Sequence, residues 1–207
     1  MGRRSSSSKG WLKRQRTDAY VARSRAAGYR SRAAYKLLEI DTQVRVLRPG
    51  MCCVDLGAAP GGWSQVAAER VAPGGRVVAL DVLPMAPIPG VDFIQGDFTE
   101  SETLAALRAA LGAAAVHLVM SDMAPNISGN RAVDQARAMH LAELALELAR
   151  EVLGPGGSLL VKLFQGEGFE AYRRTAQALF GEIKFKKPPA SRRKSREMYL
   201  LARNLRI

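Results

Sequence analysis

Four aspartates and one glycine-rich turn are the residues best placed to do chemistry in this sequence. Asp55, Asp81, Asp97 and Asp122 each close or directly follow a short apolar run that reads as a buried strand. A lone Asp after a strand is usually a turn former or a helix cap. Four at successive strand ends, on the rim where open α/β sheets bind ligands, make an acidic ligand site. Asp55 opens the segment Asp55-Leu-Gly-Ala-Ala-Pro-Gly-Gly-Trp63. Its glycines allow a tight turn and a close approach of a ligand to the backbone, Gly57 first among them. The spacing is G-x-x-x-G-G with a proline inside, and the G-x-G-x-x-G that cradles a pyrophosphate is absent. Asp81 lies 24 residues after Gly57, where an acid accepts the ribose hydroxyls of an adenosine. Asp97, in Gln95-Gly-Asp-Phe98, is placed for an adenine amino group. Asp122, in Ser121-Asp-Met-Ala-Pro-Asn126, completes the rim. Such a rim suits a cationic adenosyl group without phosphate. S-adenosylmethionine has that chemistry, whereas the pyrophosphate of NAD would be repelled.

The elements that must position these residues alternate. Strands are predicted at 51–55, 76–81, 91–94, 116–120 and 157–163. Helices are predicted from Ser31 to about Val46 and at 62–71, 101–111, 132–152 and 168–180. Gly and Pro clusters at 73–75, 87–90 and 154–157 punctuate them. Two last strands, 181–187 and 197–203, predict a terminal hairpin around a basic loop. The expected fold class is α/β: a Rossmann-like, mostly parallel seven-stranded sheet with a terminal antiparallel hairpin and helices on both faces. Residues 29–207 are read as one domain. Residues 1–28 are read as a basic extension whose first ten residues are of disordered composition.

The net charge of +12 over 207 residues is unevenly distributed. Residues 1–36 hold 11 Lys/Arg and one acid, and residues 184–207 hold 9 and one. Between them the balance is acidic. Two basic ends on an acidic body suit a polyanion, because Lys and Arg displace counterions from phosphates. Solvated tails that aid solubility are the plainer alternative. Arg30, Arg32, Lys36, Arg192, Arg193, Lys194 and Arg196 are the expected phosphate contacts, and Trp11, Tyr20 and Tyr29 are candidates to stack on bases. No apolar run is long enough to span a membrane. The basic, serine-rich start is followed by no apolar leader core, so a cytoplasmic protein is expected. Cys52 and Cys53 are adjacent in a strand and should face opposite sides as core residues. With His117 and His140 as the only histidines, no metal site is expected.

From Tyr29 to Arg203 the sequence resembles the RrmJ/FtsJ (RlmE) family of large-subunit ribosomal RNA 2′-O-methyltransferases. The resemblance rests on Ser31-Arg-Ala-Ala-Tyr-Lys-Leu38, the Asp55–Gln65 turn, Gln95-Gly-Asp-Phe98, Ser121–Asn126, Val161-Lys-Leu-Phe164 and Ser191-Arg-Arg-Lys-Ser-Arg-Glu-Met-Tyr199. It implies the S-adenosylmethionine-dependent methyltransferase form of this Rossmann-like fold, cofactor contacts from Gly61, Trp63, Asp81, Asp97 and Asp122, and a catalytic set of Lys36, Asp122, Lys162 and Glu197. It also implies a uridine of 23S ribosomal RNA in the assembled 50S subunit as substrate, S-adenosyl-L-homocysteine as product and no metal. A monomer is assumed. A ribose 2′-hydroxyl exists only in RNA, which excludes DNA. Lys162 follows the apolar run Leu159-Leu-Val161, so burial and a neighbouring cation would lower its pKa towards that of a general base. Alternatives are a tRNA or mRNA-cap 2′-O-methyltransferase, a non-catalytic RNA-binding assembly factor, or a nicotinamide-dependent oxidoreductase, the last disfavoured by the glycine spacing.

Overall fold

The computed structural model describes residues 18–192 and 194–206. Seven strands form one sheet: β1 (Cys52–Leu56), β2 (Arg76–Asp81), β3 (Val91–Gln95), β4 (Val116–Ser121), β5 (Leu153–Phe164), β6 (Phe180–Lys186) and β7 (Glu197–Leu205). Their spatial order is β3-β2-β1-β4-β5-β7-β6. The first five are mutually parallel, and β7 runs antiparallel to both β5 and β6. The helices are α1 (Ala19–Ala26), α2 (Ala33–Val44), α3 (Gly62–Val71), α4 (Ser101–Leu111), α5 (Arg131–Val152) and α6 (Phe169–Leu179).

The sheet is buried on both faces, which is why its central strands read as unbroken apolar runs. One face packs Leu37 and Ile40 of α2 and Val66 and Ala67 of α3 against Cys53, Leu118, Leu160 and Tyr199. The other packs Leu107 of α4, Leu146 of α5 and Tyr172 of α6 against Cys52, Val54, Leu159 and Leu200. The paired cysteines thus face opposite layers. The strand order reverses at β1, whose neighbours are β2 and β4, and ligands bind open α/β sheets at such a switch point.

Three elements differ from expectation. Strand β5 begins at Leu153, straight from the end of α5, and the Gly154–Gly157 turn is a bulge inside it. Val116 pairs with Leu153 but Leu118 with Ser158, so the run Gly154–Gly157 sets four residues against one and shifts the register by three. Helix α2 starts at Ala33 with Arg32 as its cap, and Ser31 makes no cap. Helix α1 lies where only a basic stretch was read. Asp18 caps it by accepting the Tyr20 N–H, and Tyr20 and Tyr29 both pack against Tyr35 of α2. Those two rings are therefore engaged within the fold. The expected disorder of residues 1–10 and the stacking role of Trp11 lie outside the described residues.

Candidate active site

A cavity of about 490 Å³ opens at the carboxyl ends of β1 to β4. Asp81, Asp97 and Asp122 line it together with Gly57, Val82, Leu83, Phe98 and Met123, and among the described residues no Lys or Arg does. Asp81 is fixed by two backbone donors, Ala59 N–H at 2.9 Å on Oδ2 and Leu83 N–H at 2.8 Å on Oδ1. Each oxygen keeps a lone pair for a ribose hydroxyl. Asp97 Oδ1 accepts from the Thr99 amide and hydroxyl, which leaves Oδ2 for a ligand. Val82 and Leu83 are largely exposed apolar side chains on the cavity wall, suited to a flat base. At Gly57, with φ +74°, a Cβ would be strained and would stand 2.4 Å from Cγ of Met123, in the segment after β4, so it would displace that side chain from the cavity wall. The cavity therefore fits a cationic adenosyl group and opposes one carrying phosphates.

Not every expected cofactor residue reaches this cavity. Asp55 is buried beneath it, 1% exposed, with Ser64 Oγ donating to its Oδ2 at 2.6 Å. Burial pushes its carboxyl up to about 7 against the Ser64 hydrogen bond, with Asp122 and Asp81 adding to the rise. The acidic rim is thus three carboxylates over a buried fourth. The Trp63 indole points into the core, where its Nε1 donates to the Ala33 carbonyl at 2.9 Å and its ring packs on Tyr199. Only its backbone is left for a ligand. Gly61, at φ +108°, is held by packing: a Cβ there would meet Ile88 Cδ1 at 2.6 Å.

Beside the cavity, four charged side chains meet. The β5–β7 register pairs Lys162 with Tyr199 and Phe164 with Glu197, so Lys162, Tyr199 and Glu197 project from one face of the sheet. That face is the one covered by α2, which supplies Lys36. Asp122 Oδ1 is the hub: Lys162 Nζ stands 3.0 Å away and Lys36 Nζ 3.4 Å away, and the Tyr199 hydroxyl donates to it at 2.6 Å. Lys162 also donates to the Asp122 carbonyl, and Lys36 lies 3.3 Å from Glu197 Oε1. Burial pushes the Lys162 ammonium below the ordinary lysine range. Asp122 and Glu197 pull it back, and the neighbouring Lys36 deepens the depression. Burial opposes the Asp122 carboxylate, but Lys162, Lys36 and the Tyr199 hydroxyl outweigh it and hold it below its usual range. Burial and the charges of Asp122 and Glu197 push the Tyr199 phenol well above its ordinary value, so it stays a donor. Sequence position gives Tyr199 no role, since only the β5–β7 register places it opposite Lys162.

A second cleft, of about 440 Å³, adjoins this cluster and is lined by Arg32, Lys36, Arg192, Lys194, Ser195 and Glu197. Of the expected phosphate contacts it gathers Arg32, Lys36, Arg192 and Lys194. Arg193 lies outside the described residues. Arg30 is spent elsewhere, because its guanidinium donates to the carbonyls of Pro60, Ala86 and Pro87 and clamps the loop after β2. Arg196 donates to the Gln165 carbonyl at 2.9 Å and does not line the cleft. His117 is structural, its Nδ1 accepting the Cys52 N–H at 3.0 Å. Among the described residues no group of His, Cys, Asp and Glu is arranged to hold a metal, and no helix is long and apolar enough to cross a membrane.

Residues 29–205 match the model of the FtsJ-like methyltransferase family. The chain belongs to that family. It is 57% identical over 204 residues to the ribosomal RNA large subunit methyltransferase E of Azoarcus sp. (strain BH72), a match spanning 99% of this chain and 100% of that protein. It is 56% identical to the protein of the same name from Pseudomonas aeruginosa (strain PAO1), over 98% of each. A solved Plasmodium falciparum structure, described as a ribosomal RNA methyltransferase, superposes with a TM-score of 0.77 at 30% identity. That superposition covers 86% of this chain and 98% of the other. This FtsJ-like chain therefore has the methyltransferase fold expected from its sequence, terminal antiparallel hairpin included.

Proposed function

We propose that this FtsJ-like chain transfers a methyl group from S-adenosylmethionine to the 2′-hydroxyl of a uridine in large-subunit ribosomal RNA. One observation carries the reading. The cluster of Lys36, Asp122, Lys162 and Glu197 stands where the acidic cavity meets the basic cleft, with Asp122 lining the first and Lys36 and Glu197 lining the second. The large-subunit substrate is supported by the names of the relatives. When bound, S-adenosylmethionine supplies a methyl group on a sulfonium, already a good leaving group, and leaves as S-adenosyl-L-homocysteine.

The difficult partner is the alcohol, whose proton must be removed as the carbon–oxygen bond forms. Lys162 Nζ, depressed by burial and by Lys36, takes that proton. Asp122 fixes Lys162 through one oxygen and holds Lys36 on the same atom, so both amines are aimed before substrate arrives. Glu197 tethers Lys36 from the cleft side. Asp81 and Asp97 hold the adenosyl group, and no metal is needed. Arg32, Arg192 and Lys194 hold backbone phosphates, which brings one ribose to the cluster. On this reading the enzyme works as a monomer in the cytoplasm, on RNA already folded in the 50S subunit, with residues 1–28 extending a single catalytic domain at 29–207. The start of the family match at residue 29 supports that boundary.

The decisive experiment incubates the protein and labelled S-adenosylmethionine with under-methylated large subunits, then maps the product by mass spectrometry of nuclease fragments. One 2′-O-methyluridine in the large-subunit RNA is expected. Label on a base, or on tRNA alone, would overturn the assignment.

A further inference from the structure

Arg32, the cap of α2, and Lys36 and Glu39 within it are spaced i, i+4 and i+7, so they share one helix face. The middle residue reaches Asp122 and Glu197. The outer two grip a single residue across from them. Glu39 Oε2 accepts the Ala190 N–H at 2.7 Å, and the Arg32 guanidinium donates to the Ala190 carbonyl. Ala190 is fully buried, in the loop that joins β6 to β7. That loop carries Arg192 and Lys194, the outer wall of the basic cleft. The second Glu39 oxygen accepts the Tyr20 hydroxyl at 2.9 Å, which ties in α1. Burial, and then this carboxylate, push the Tyr20 phenol above its ordinary value, so it keeps its proton and keeps donating. Arg32 is in turn paired with Asp18. A loop dense in like charges is driven outward by its own repulsion. Here it is held by hydrogen bonds to both sides of one residue. Glu39 lines neither the cavity nor the cleft.

We infer that Glu39 is a positioning residue, which fixes the β6–β7 loop in advance as the wall of the RNA cleft. The inference rests on the assignment of that cleft to RNA. A wall ordered beforehand spares the substrate the cost of ordering it on binding. The contribution of Glu39 therefore falls on KM for RNA and leaves the transfer step alone.

The test uses the full chain, with steady-state methyl transfer to under-methylated large subunits and hydrogen exchange of the free protein. Glu39→Ala removes both acceptors and is expected to raise KM for subunits about tenfold, with kcat and S-adenosylhomocysteine affinity within about twofold. Glu39→Gln, which offers one acceptor oxygen to two donors, should fall between it and the parent. Peptides spanning 188–196 should exchange faster while the sheet does not change. Should Glu39→Ala fail to fold, Tyr20→Phe removes only the donor that orients Glu39, and a smaller KM rise of about two- to threefold is expected. Unchanged KM and unchanged exchange would overturn the inference, as would a fall in kcat at constant KM. Failure of the parent protein to methylate would refute the functional reading instead. The exchange arm needs no substrate and would then decide on Glu39 alone.

Discussion

Lys36→Met isolates the electrostatic part of the proposed mechanism. Lys36 and Lys162 stand 3.4 and 3.0 Å from the same Asp122 oxygen, so their ammonium nitrogens are at most about 6 Å apart. Two unit charges at that distance repel by about 2–3 kcal/mol at an effective dielectric constant of about 20. That is up to about two pK units of depression on Lys162. Removing Lys36 lifts that depression, so the Lys162 pKa rises. More of Lys162 is then protonated at neutral pH and unable to accept the hydroxyl proton. The acidic limb of the pH–rate profile should move upward by about one to two units, with about a 10- to 100-fold loss at pH 7 that recovers as the pH is raised. Lys36 also lines the RNA cleft, so the rate must be taken under single-turnover conditions with saturating enzyme and cofactor between pH 6 and 10. A loss of the same size at every pH would refute the electrostatic reasoning and leave Lys36 a purely steric guide. No loss at any pH would remove it from the site.

Lys162→Met should abolish methyl transfer while leaving S-adenosylhomocysteine affinity within a few-fold by calorimetric titration, since Lys162 does not line the cofactor cavity. Asp81→Asn should weaken that affinity about 10- to 100-fold, the usual cost of losing hydrogen bonds to a charged acceptor, and an unchanged titration would take Asp81 out of the cofactor site. Arg192→Ala should lower RNA affinity and shrink the slope of log affinity against log salt by about 0.7 to 0.9, the signature of one lost phosphate contact. Asp55→Asn probes the buried carboxyl: its folded-state value of about 7 lies above the ordinary 3.8, so its favourable share of stability is complete below about pH 4 and is lost as the pH rises through 7. Three pK units correspond to about 4 kcal/mol. The variant should therefore melt higher than the parent at pH 8, with the gap narrowing steadily as the pH falls towards 4, and a pH-independent difference would mean that Asp55 carries no such proton.

What the sequence made legible follows the physics of each element. Strands β1, β2 and β4 declare themselves because nearly all of their residues are buried, which requires an almost unbroken apolar run, whereas the edge strand β3 is only half-buried and carries Asp92 and Gln95 outward. The bulge in β5 stayed hidden because Gly154-Pro155-Gly156-Gly157 is turn chemistry wherever it occurs, and only the pairing with β4 shows that the strand resumes in the same direction. Helix α1 has no apolar stripe, so periodicity could not reveal it. Its trace in the sequence was Asp18, a capping residue ahead of Ala19-Tyr20-Val21. The site shows the same division. Lys162 and Asp122 sit at strand ends, where sequence position alone fixes the rim. Direction is another matter: Asp55, one residue short of the end of β1, and Asp81, the last of β2, lie on neighbouring parallel strands, yet Asp55 turns under the rim to Ser64 while Asp81 turns up into the cavity. Arg30 and Arg32 are likewise two residues apart with the same charge, and backbone carbonyls claim the first whereas the second lines the cleft. In the sequence only the family resemblance joins Glu197 to Lys162, and nothing joins Tyr199; the antiparallel insertion of β7 between β5 and β6 is what places both beside it. That insertion brings a phenol that keeps its proton and a carboxylate to the same face as a buried lysine. On the proposed function the terminal hairpin is therefore part of the chemistry: without the inserted β7, Asp122 would have two ammonium groups and no hydroxyl donor, and Lys36 would have no carboxylate on the cleft side.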